Sequence, residues 1–242
     1  LLPLMMLTVC QQVKSVRVGI TNTGALAIGG NSTFTAATGQ DISVTNAGNN
    51  FTGTVTFVGT GGSLANVSVL DTTALNLLPL TVDTNLTAQG AGLTQSGGNL
   101  VVPGTATFTS TGAAADIVLN AAGNNFGTAV VTSGRDASLT DVGGVVLGTH
   151  NVTGNLAWTA AGDITQSGAL AVTGTTTISN AGFDVTLGDV TNNFGGAVSV
   201  TGIDVALVDA GAINLGTSTV TGNYAVTATA GGGITNTGVL AI

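Results

Sequence analysis

The sequence predicts an all-β protein, specifically a right-handed parallel β-helix, and three observations support this. A nearly identical pentapeptide returns at regular intervals along the chain. Short alternations of apolar and polar residues recur about every nine residues, which is the periodicity of strands. Glycine, asparagine or aspartate separates almost all of these alternations. Regular repetition of short strands and turns is typical of stacked-repeat architectures.

The recurring pentapeptide sets the length of the repeat. Its copies begin at Ile20, Leu93, Ile164 and Ile234, so the period is nearly constant. We therefore divide the chain into an atypical N-terminal segment, 1–19, and one continuous solenoid, 20–242. The super-repeats of this solenoid are 20–92, 93–163, 164–233 and a partial fourth, 234–242.

Each super-repeat contains several short strands. In the third they are predicted at 170–172, 176–178, 185–187, 198–200, 205–207, 213–215 and 224–226. The glycine, asparagine and aspartate residues between them are expected in turns with positive φ. A helical fold is disfavoured because glutamate is absent and lysine and arginine together number three.

Such short strands must stack to be stable. With strands about 4.8 Å apart and coils of about 20 to 24 residues, a super-repeat is most simply three coils. The array would then hold about ten coils and be about 48 Å long. An array of immunoglobulin-like sandwiches is the alternative, but it needs longer strands and about 100 residues per domain.

The N-terminus is apolar from Leu1 to Cys10. It lacks the preceding basic residues and the clear cleavage site of a signal peptide, so we interpret it as a buried strand or a cap. It is also shorter than the roughly 20 residues of a membrane-spanning helix, and no membrane insertion is predicted. The chain lacks an initiator methionine and stops within a repeat, so we expect a segment of a longer protein with end-to-end self-association through its sheet edges.

Composition excludes several classes of function. The net charge is −8, charged residues make up 6%, and the only bases are Lys14, Arg17 and Arg135. Binding to nucleic acid needs clustered bases, so no nucleic-acid partner is predicted. With Cys10 as the single cysteine there is no intrachain disulfide or cysteine-based metal motif, and we predict no cofactor and no metal.

One tripeptide, Asn-Asn-Phe, recurs within the super-repeats. The nine structural repeat positions are Asn49, Asn50, Phe51, Asn124, Asn125, Phe126, Asn192, Asn193 and Phe194. We expect asparagine at turns, with left-handed backbone, and phenylalanine in the core. A carbohydrate-binding pair of asparagine and phenylalanine is the less favoured reading.

The aspartates are candidates for catalytic or calcium-binding groups. Asp41, Asp116 and Asp184 each precede a strand, while Asp136 and Asp141 match Asp204 and Asp209. Matching copies are expected three coils apart, or about 14 Å, which is too far for a shared proton or metal. We therefore predict that these aspartates are turn residues that keep the surface soluble. A weak Ca²⁺ site at one turn is kept as an alternative.

Histidine and tryptophan occur once each. His150 aligns with Ser218 and is predicted to be a solvated turn residue, whereas Trp158 aligns with Val226 and is predicted in the core. A hydrolytic triad or a lyase needs histidine, cysteine, lysine or arginine side chains, and this chain has only one histidine, one cysteine and three lysine or arginine residues. We therefore predict no catalytic residues, although a β-helical glycan-processing enzyme is an alternative.

Paired threonines suggest a second alternative. Thr-x-Thr occurs at Thr33/Thr35, Thr54/Thr56 and Thr107/Thr109, and a regular ladder on a flat face would order water against ice. The pattern breaks at Thr177, which is followed two residues later by Ser179. An ice- or surface-binding solenoid is therefore kept as a minority hypothesis.

The recurring motifs resemble those of a known class of proteins. The pattern I/L-T-Q/N-S/T-G, then N-N-F-x-G, then V-T-G-N over 20–242 is similar to the repeats of filamentous-haemagglutinin-like adhesins and autotransporter passengers. The resemblance implies a structural or adhesive region of a large exported bacterial surface protein, secreted or held at the cell surface. Its implied partners are glycans or proteins on host or neighbouring cells.

Overall fold

The structure is a computed structural model that describes residues 11–14, 19–112, 115–229 and 231–242. These residues form an all-β protein without helices, so none of them forms a helix long and apolar enough to span a bilayer. Parallel strands stack into a β-solenoid of about eleven coils, which confirms the predicted fold class and adds one coil. The predicted strand or cap at Leu1–Cys10 lies outside the described residues.

The strands are numbered in chain order. They are β1 Gln11–Lys14, β2 Ile20–Thr21, β3 Ala27–Ile28, β4 Ser32–Ala37, β5 Ile42–Val44, β6 Asn50–Phe51, β7 Val55–Thr60, β8 Leu64–Leu70, β9 Leu75–Leu77, β10 Leu80–Gly90, β11 Leu93–Gln95, β12 Leu100–Ser110, β13 Ile117–Leu119, β14 Asn125–Gly134 and β15 Ala137–Asp141. The remainder are β16 Val145–Val152, β17 Leu156–Ala160, β18 Ile164–Gln166, β19 Leu170–Val172, β20 Thr176–Ser179, β21 Val185–Leu187, β22 Asn193–Phe194, β23 Ala197–Gly202, β24 Val205–Asp209, β25 Ile213–Leu215, β26 Ser218–Val220, β27 Tyr224–Ala228, β28 Ile234–Asn236 and β29 Leu240–Ala241.

These strands form two long sheets and a small one. The larger sheet has 14 strands and follows β1-β4-β7-β9-β11-β13-β15-β17-β20-β23-β25-β28. The other long sheet has 13 strands and follows β2-β5-β8-β10-β12-β14-β16-β18-β21-β24-β27, while β3 and β6 pair separately. The chain alternates between the two long sheets along the axis of the solenoid, so each coil contributes a strand to both sheets.

The core runs along the inside of the stack. Strand β13 shows how the sequence builds it, because Ile117 and Leu119 are buried while Val118 between them is 41% exposed. Inward residues of successive coils then stack, as Leu139 does on Trp158. The core position predicted for Trp158 is confirmed, since only 1% of it is exposed. Each large side chain buried in this way stabilises the fold by about 1.5 to 3 kcal/mol.

A super-repeat spans three and a half coils, which corrects the predicted three. Leu93 lies in β11 of the 14-stranded sheet; three coils later that sheet reaches β17, and Ile164 follows in β18 of the other sheet. The same count leads from Ile20 in β2 to Leu93, and from Ile164 to Ile234 in β28. Equivalent residues of neighbouring super-repeats therefore lie on opposite sheets.

The coils vary in length and are often shorter than predicted, which explains the extra half coil. Val198 pairs with Leu215 of the next coil across a short stretch of chain, whereas Ile42 pairs with Val67 across a longer one. Several strands run long without a separate loop, such as the 11-residue β10 and β12. A chain that needs fewer loop residues completes a coil sooner.

Glycine alone adopts the left-handed backbone at the described turns. Positive φ is found at Gly39, Gly61, Gly92, Gly97, Gly98, Gly182 and Gly231, and at no other residue type among those described. The expectation that asparagine supplies positive φ is therefore wrong. Other glycines permit close stacking of coils, since a Cβ at Gly127 would lie 2.0 Å from the carbonyl oxygen of Pro103.

Candidate functional site

The most distinctive recurring contact is a pair of amide side chains, one buried and one partly buried, that we call the amide clamp. In the second super-repeat Gln95 Nε2 donates to Asn124 Oδ1 over 2.6 Å, and Asn124 Nδ2 donates back to Gln95 Oε1 over 3.0 Å. The same Asn124 oxygen accepts the backbone N–H of Leu100 at 2.8 Å, and Nδ2 also donates to the carbonyl of Leu119 at 3.0 Å. Asn124 thus fastens its own coil to the coil before it.

The clamp recurs in the third super-repeat. Gln166 and Asn192 form the same pair, in which Gln166 Nε2 donates to Asn192 Oδ1 and Asn192 Nδ2 donates to Gln166 Oε1 at 3.1 Å. The oxygen of Asn192 accepts the backbone N–H of Leu170 at 2.9 Å, as Asn124 does for Leu100. Both asparagines are fully buried.

The first super-repeat carries a shorter version of the clamp. Asn22 stands where the others have glutamine, and its Nδ2 donates to Asn49 Oδ1 over 2.8 Å. The oxygen of Asn49 also accepts the N–H of Leu26 at 3.0 Å, and its Nδ2 donates to the carbonyl of Val44 at 3.0 Å. The clamp therefore joins the third residue of the pentapeptide to the first residue of Asn-Asn-Phe in every full super-repeat.

The other positions of the tripeptide have different surroundings. The second residues, Asn50, Asn125 and Asn193, begin strands and are partly or fully exposed. The phenylalanines Phe51, Phe126 and Phe194 are at most 2% exposed. A buried ring presents no face for a sugar, so the geometry argues against the carbohydrate-binding reading.

Each phenylalanine is held by a buried carboxylate. Asp141 Oδ2 accepts the backbone N–H of Phe126 at 2.6 Å, and its Oδ1 accepts that of Gly143 at 2.7 Å. Asp209 does the same for Phe194 at 2.7 Å, as does Asp71 for Phe51 at 3.2 Å. Burial raises the pKa of Asp141, although its two backbone hydrogen bonds oppose that change.

This arrangement corrects the prediction for two of the aspartates. Asp141 and Asp209 were expected at the surface of turns, but they end strands β15 and β24 and are 2% and 1% exposed. Their carboxylates point inward because the chain leaves two backbone N–H groups to be satisfied there. The sequence shows only that an aspartate recurs, and not which N–H groups it meets.

Six other aspartates take part in ladders of hydrogen bonds along the corners of the solenoid. Asp184 donates its backbone N–H to Asp163 Oδ1 at 3.2 Å, Asp204 to Asp184 Oδ1 at 3.1 Å, and Asn223 to Asp204 Oδ1 at 2.7 Å. Each side chain thus caps the backbone of the next coil. Two similar ladders run through Asp116, Asp136, Asn155 and Thr175, and through Asp41, Asn66, Asn85 and Thr105.

The ladders correct the spacing expected from the sequence. Equivalent copies such as Asp136 and Asp204 lie on opposite sides of the solenoid, because the super-repeat contains a half coil. Non-equivalent aspartates are the ones that stack, and Asp184 and Asp204 line one shallow groove of about 170 Å³. Among the described residues no group of three histidine, cysteine, aspartate or glutamate side chains is placed to hold a metal ion.

Arg135 forms ion pairs with two aspartates at a corner of the second super-repeat, a close one with Asp116 and a longer one with Asp136, whose Oδ2 is 3.5 Å from Nε. The guanidinium of Arg135 donates from Nε to Asp116 Oδ1 at 2.8 Å and from Nη2 to Oδ2 at 2.7 Å. This pairing lowers the pKa of Asp116 and raises that of Arg135.

An adjoining groove of about 500 Å³ is lined by Ser110, Thr111, Gly112, Ser133, Gly134, Arg135 and Thr153. Its hydroxyl groups donate to backbone carbonyls, as Ser133 does to Ser110 at 2.8 Å.

His150 is buried, contrary to the prediction of a solvated turn. It lies within β16, and its Nε2 accepts the indole N–H of Trp158 at 3.2 Å. Its Nδ1 is 2.9 Å from the carbonyl of Gly148, to which it donates as a neutral ring. Complete burial lowers the pKa of His150 to about 4.

The equivalent residue in the third super-repeat explains why the prediction failed. Ser218 is also buried, and its hydroxyl donates to the carbonyl of Gly216 at 3.3 Å, as His150 does to Gly148. Both positions thus place a hydrogen-bonding group inside the coil. Alignment of histidine with serine suggested solvent, but it reflects a shared bond to the carbonyl two residues earlier.

The threonine pairs do not form one ladder. Thr33 stacks on Thr56 in the 14-stranded sheet, but Thr35 stacks on Val58. Thr107 lies in the other long sheet, between Thr87 and Val130. Threonines that are divided between sheets and interrupted by valine do not provide the regular flat face that ice binding requires.

Sequence reasoning missed the amide clamp as a unit. It noted Asn-Asn-Phe and the pentapeptide separately, although the clamp joins them across 27, 29 and 26 residues. The signal was the constant amide at the third position of the pentapeptide, namely Asn22, Gln95 and Gln166. An amide that recurs with a second amide about one coil later indicates a contact between coils.

Comparison with known proteins identifies the repeat. The family described as Repeats of unknown function (DUF5649) matches residues 12–58, 64–133, 134–201 and 202–242. The chain belongs to this family. Neither the curated proteins nor the solved structures contain a significant match.

Proposed function

We propose that this member of the repeat family is a structural and adhesive segment of a large exported bacterial surface protein. It acts as a stiff rod that holds adhesive surfaces away from the cell. The proposal extends a fold that is consistent with a structural repeat protein. Export and adhesion rest on the composition and on the resemblance of the motifs to exported adhesins.

The observation that carries the proposal is that the recurring polar side chains form hydrogen bonds between coils. The clamp amides Gln95 and Asn124, the buried Asp141 and the ladder aspartates all bond one coil to the next. The side chains that recur most faithfully therefore maintain the stack. Continuous coil-to-coil bonding gives the stiffness of a rod, which for eleven coils would be about 50 Å long.

We also propose that the segment is not an enzyme. Acid–base catalysis by two carboxylates needs environments that differ, so that one is protonated while the other is not. Asp184 and Asp204 instead occupy successive, similar rungs of one ladder, are exposed, and each caps the next coil. Incubation of the chain with a panel of polysaccharides should release no new reducing ends, and their release would overturn this part of the proposal.

Location and adhesion can be tested together. Antibodies raised against this chain should bind intact cells of the bacterium that makes it, and external protease should remove the signal. Beads coated with the chain should bind host or neighbouring bacterial cells more than beads coated with the unfolded chain. Signal only after cell lysis, or equal binding by the two kinds of bead, would contradict the proposal.

A further inference from the structure

The second and third super-repeats build the same corner of the solenoid around a pair of aspartates. In the second, Asp116 Oδ1 accepts the backbone N–H of Asp136 at 3.2 Å. In the third, Asp184 Oδ1 accepts that of Asp204 at 3.1 Å. Asp136 and Asp204 each cap an asparagine of the next coil at 2.7 Å. The two pairs of carboxylates therefore have the same backbone support, before strands of opposite sheets.

Arg135 neutralises this corner in the second super-repeat. Its guanidinium donates to Asp116 from Nε at 2.8 Å and from Nη2 at 2.7 Å, and its Nε is 3.5 Å from Asp136 Oδ2. One side chain therefore reaches carboxylates of two adjacent coils. The planar fork of a guanidinium matches a pair of carboxylate oxygens, which the single ammonium of lysine does not.

The third super-repeat has isoleucine where the second has this arginine. Ile203 takes the place of Arg135 when the two super-repeats are aligned. Among the residues that the structure describes, no ion pair involves Asp184 or Asp204, and both residues are exposed. Asp163, one coil earlier in the same ladder, adds a third carboxylate. Like charges stacked about one strand spacing apart repel one another, so this corner attracts a cation.

Apolar side chains stand beside these carboxylates. Phe183 and Ile203 directly precede Asp184 and Asp204 in the chain and are each 39% exposed. The backbone N–H of Ile203 donates to the carbonyl of Phe183 at 2.8 Å, so the two residues lie in adjacent coils of one corner. An exposed apolar pair next to carboxylates without a cation fits a partner that carries both a cation and an apolar group.

A groove along the same aspartates has room for one extended side chain. It measures about 170 Å³, and its lining residues include Asp184, Asp204, Ala206 and Ala225. Ala206 pairs with Ala225 across adjacent strands, so this part of the lining is small and even. The aliphatic stem of an arginine lies well on such a surface while its charged end reaches the carboxylates.

We propose that this corner binds an arginine of another protein, carried by an extended segment that has an apolar side chain next to the arginine. The guanidinium takes the position that Arg135 has in the second super-repeat, and the apolar side chain covers Phe183 and Ile203. The chain itself has three basic residues and a net charge of −8, so a base-rich partner is a different protein. A metal ion fits less well, because within the described ranges no three candidate ligands come together.

Such a contact gives the adhesive surface a partner and therefore rests on the proposed function. An exposed ion pair contributes little alone, so the affinity also depends on covering Phe183 and Ile203. Peptide binding is measured with the purified chain and without cells. Its absence while coated beads still bind cells removes this partner alone, whereas the converse removes the adhesive role alone.

A peptide titration tests the contact. A fluorescent peptide of alternating arginine and leucine is titrated with the folded chain at low salt, where screening is weak. The control peptide carries citrulline, which keeps the length of arginine but not its charge, and should bind at least tenfold more weakly. A lysine–leucine peptide should also bind more weakly, because it lacks the planar fork. No binding of the arginine peptide, or equal binding of the lysine peptide, would overturn the proposal.

A matched pair of variants locates the site. Asp204→Asn keeps the Oδ1 atom that caps Asn223 but removes the charge, and it should weaken binding of the arginine peptide at least tenfold. Asp136→Asn is the control, because it makes the same change beside Arg135 and should leave peptide binding unchanged. Equal effects of the two variants would assign binding to the net charge of the chain and overturn the assigned corner.

A third variant fills the corner from within the chain. Ile203→Arg supplies the guanidinium that Arg135 supplies in the second super-repeat, at a position that is 39% exposed. We expect an unfolding midpoint near that of the parent and peptide binding at least tenfold weaker. Ile203→Gln, which is long but uncharged, should weaken binding less. Binding by a folded Ile203→Arg variant at the strength of the parent would contradict the proposal.

Discussion

Gln95 and Asn124 exchange two hydrogen bonds across adjacent coils, although 29 residues separate them in the chain. Asn124 is fully buried, and its side chain also bonds the backbone of Leu100 and Leu119. A single side chain therefore connects four groups in two coils. Buried polar groups that are fully satisfied in this way fix one arrangement, because any slip of register leaves them unpaired.

Replacement of Asn124 tests the clamp. Asn124→Leu should lower the free energy of unfolding by about 3 kcal/mol, because the buried Leu100 N–H and the partly buried Gln95 amide both lose their acceptor. Urea denaturation followed by circular dichroism measures the change. Asn125→Leu is the control, since its neighbouring side chain is exposed and its loss should cost much less. Equal effects of the two substitutions would show that the clamp contributes nothing special.

Removal of a buried carboxylate tests the second contact. Asp141→Ala leaves the N–H groups of Phe126 and Gly143 without an acceptor, so we expect a loss of about 3 kcal/mol. Asp209→Ala should cost a similar amount because it removes the same two bonds in the third super-repeat. Exposed Asp83→Ala serves as the control in the same urea titration. If all three variants unfold alike, the buried carboxylates are not structural.

His150 predicts a dependence of stability on pH. Its folded pKa of about 4 is below the value of 6.5 in the unfolded chain, so the unfolded chain binds a proton first as pH falls. Its contribution is fully present above pH 6.5 and declines by about 3 kcal/mol as pH falls to about 4. Urea titrations at several pH values between these limits measure the slope.

The third super-repeat supplies the matched variant for this test. His150→Ser installs the residue found at Ser218, which makes the same bond to the carbonyl two residues earlier. It lowers stability at neutral pH, because Trp158 loses its acceptor, but it should flatten the slope between pH 6.5 and 4. A slope as steep as that of the parent would show that another group is responsible.

The exposed ion pair should matter little. Arg135→Gln removes both bonds to Asp116, but the two side chains are 46% and 35% exposed and solvent screens their attraction. We expect an unfolding midpoint close to that of the parent, with any difference reduced further by added salt. A large loss of stability that persists in high salt would assign this pair a structural role that its exposure does not support.

The sequence could predict the stack but not its symmetry. Alternation around residues such as Ile117 and Leu119 indicates strands, and the returning pentapeptide indicates a solenoid. The half coil depends on how many residues each corner uses, as in the long strands β10 and β12. Such corners carry no separate turn signal, so a count of turns underestimates the number of coils.

The polar interior was harder to predict than the apolar core. Trp158 aligns with valine and is correctly predicted inside, because hydrophobic substitutions share an environment. Polarity alone predicts His150 and Asp141 outside, yet each is buried with backbone partners. Those partners belong to neighbouring coils or nearby turns, and a single sequence does not say which backbone groups lack a bond.

Deletion of one whole super-repeat tests the central claim most directly. Removal of residues 93–163 joins Gly92 to Ile164, which brings Gln166 and Asn192 to the positions of Gln95 and Asn124 after a half-coil rotation. Removal of only 93–116 is the control, because it puts Ile117 in the place of its partner Leu93, over Leu75, but deletes Gln95 and Leu100 from the clamp. We predict that the longer deletion keeps β-sheet circular dichroism and a cooperative unfolding midpoint near that of the parent, while the shorter deletion lowers the midpoint clearly. A longer deletion that unfolds, beside a shorter one that remains stable, would contradict the account.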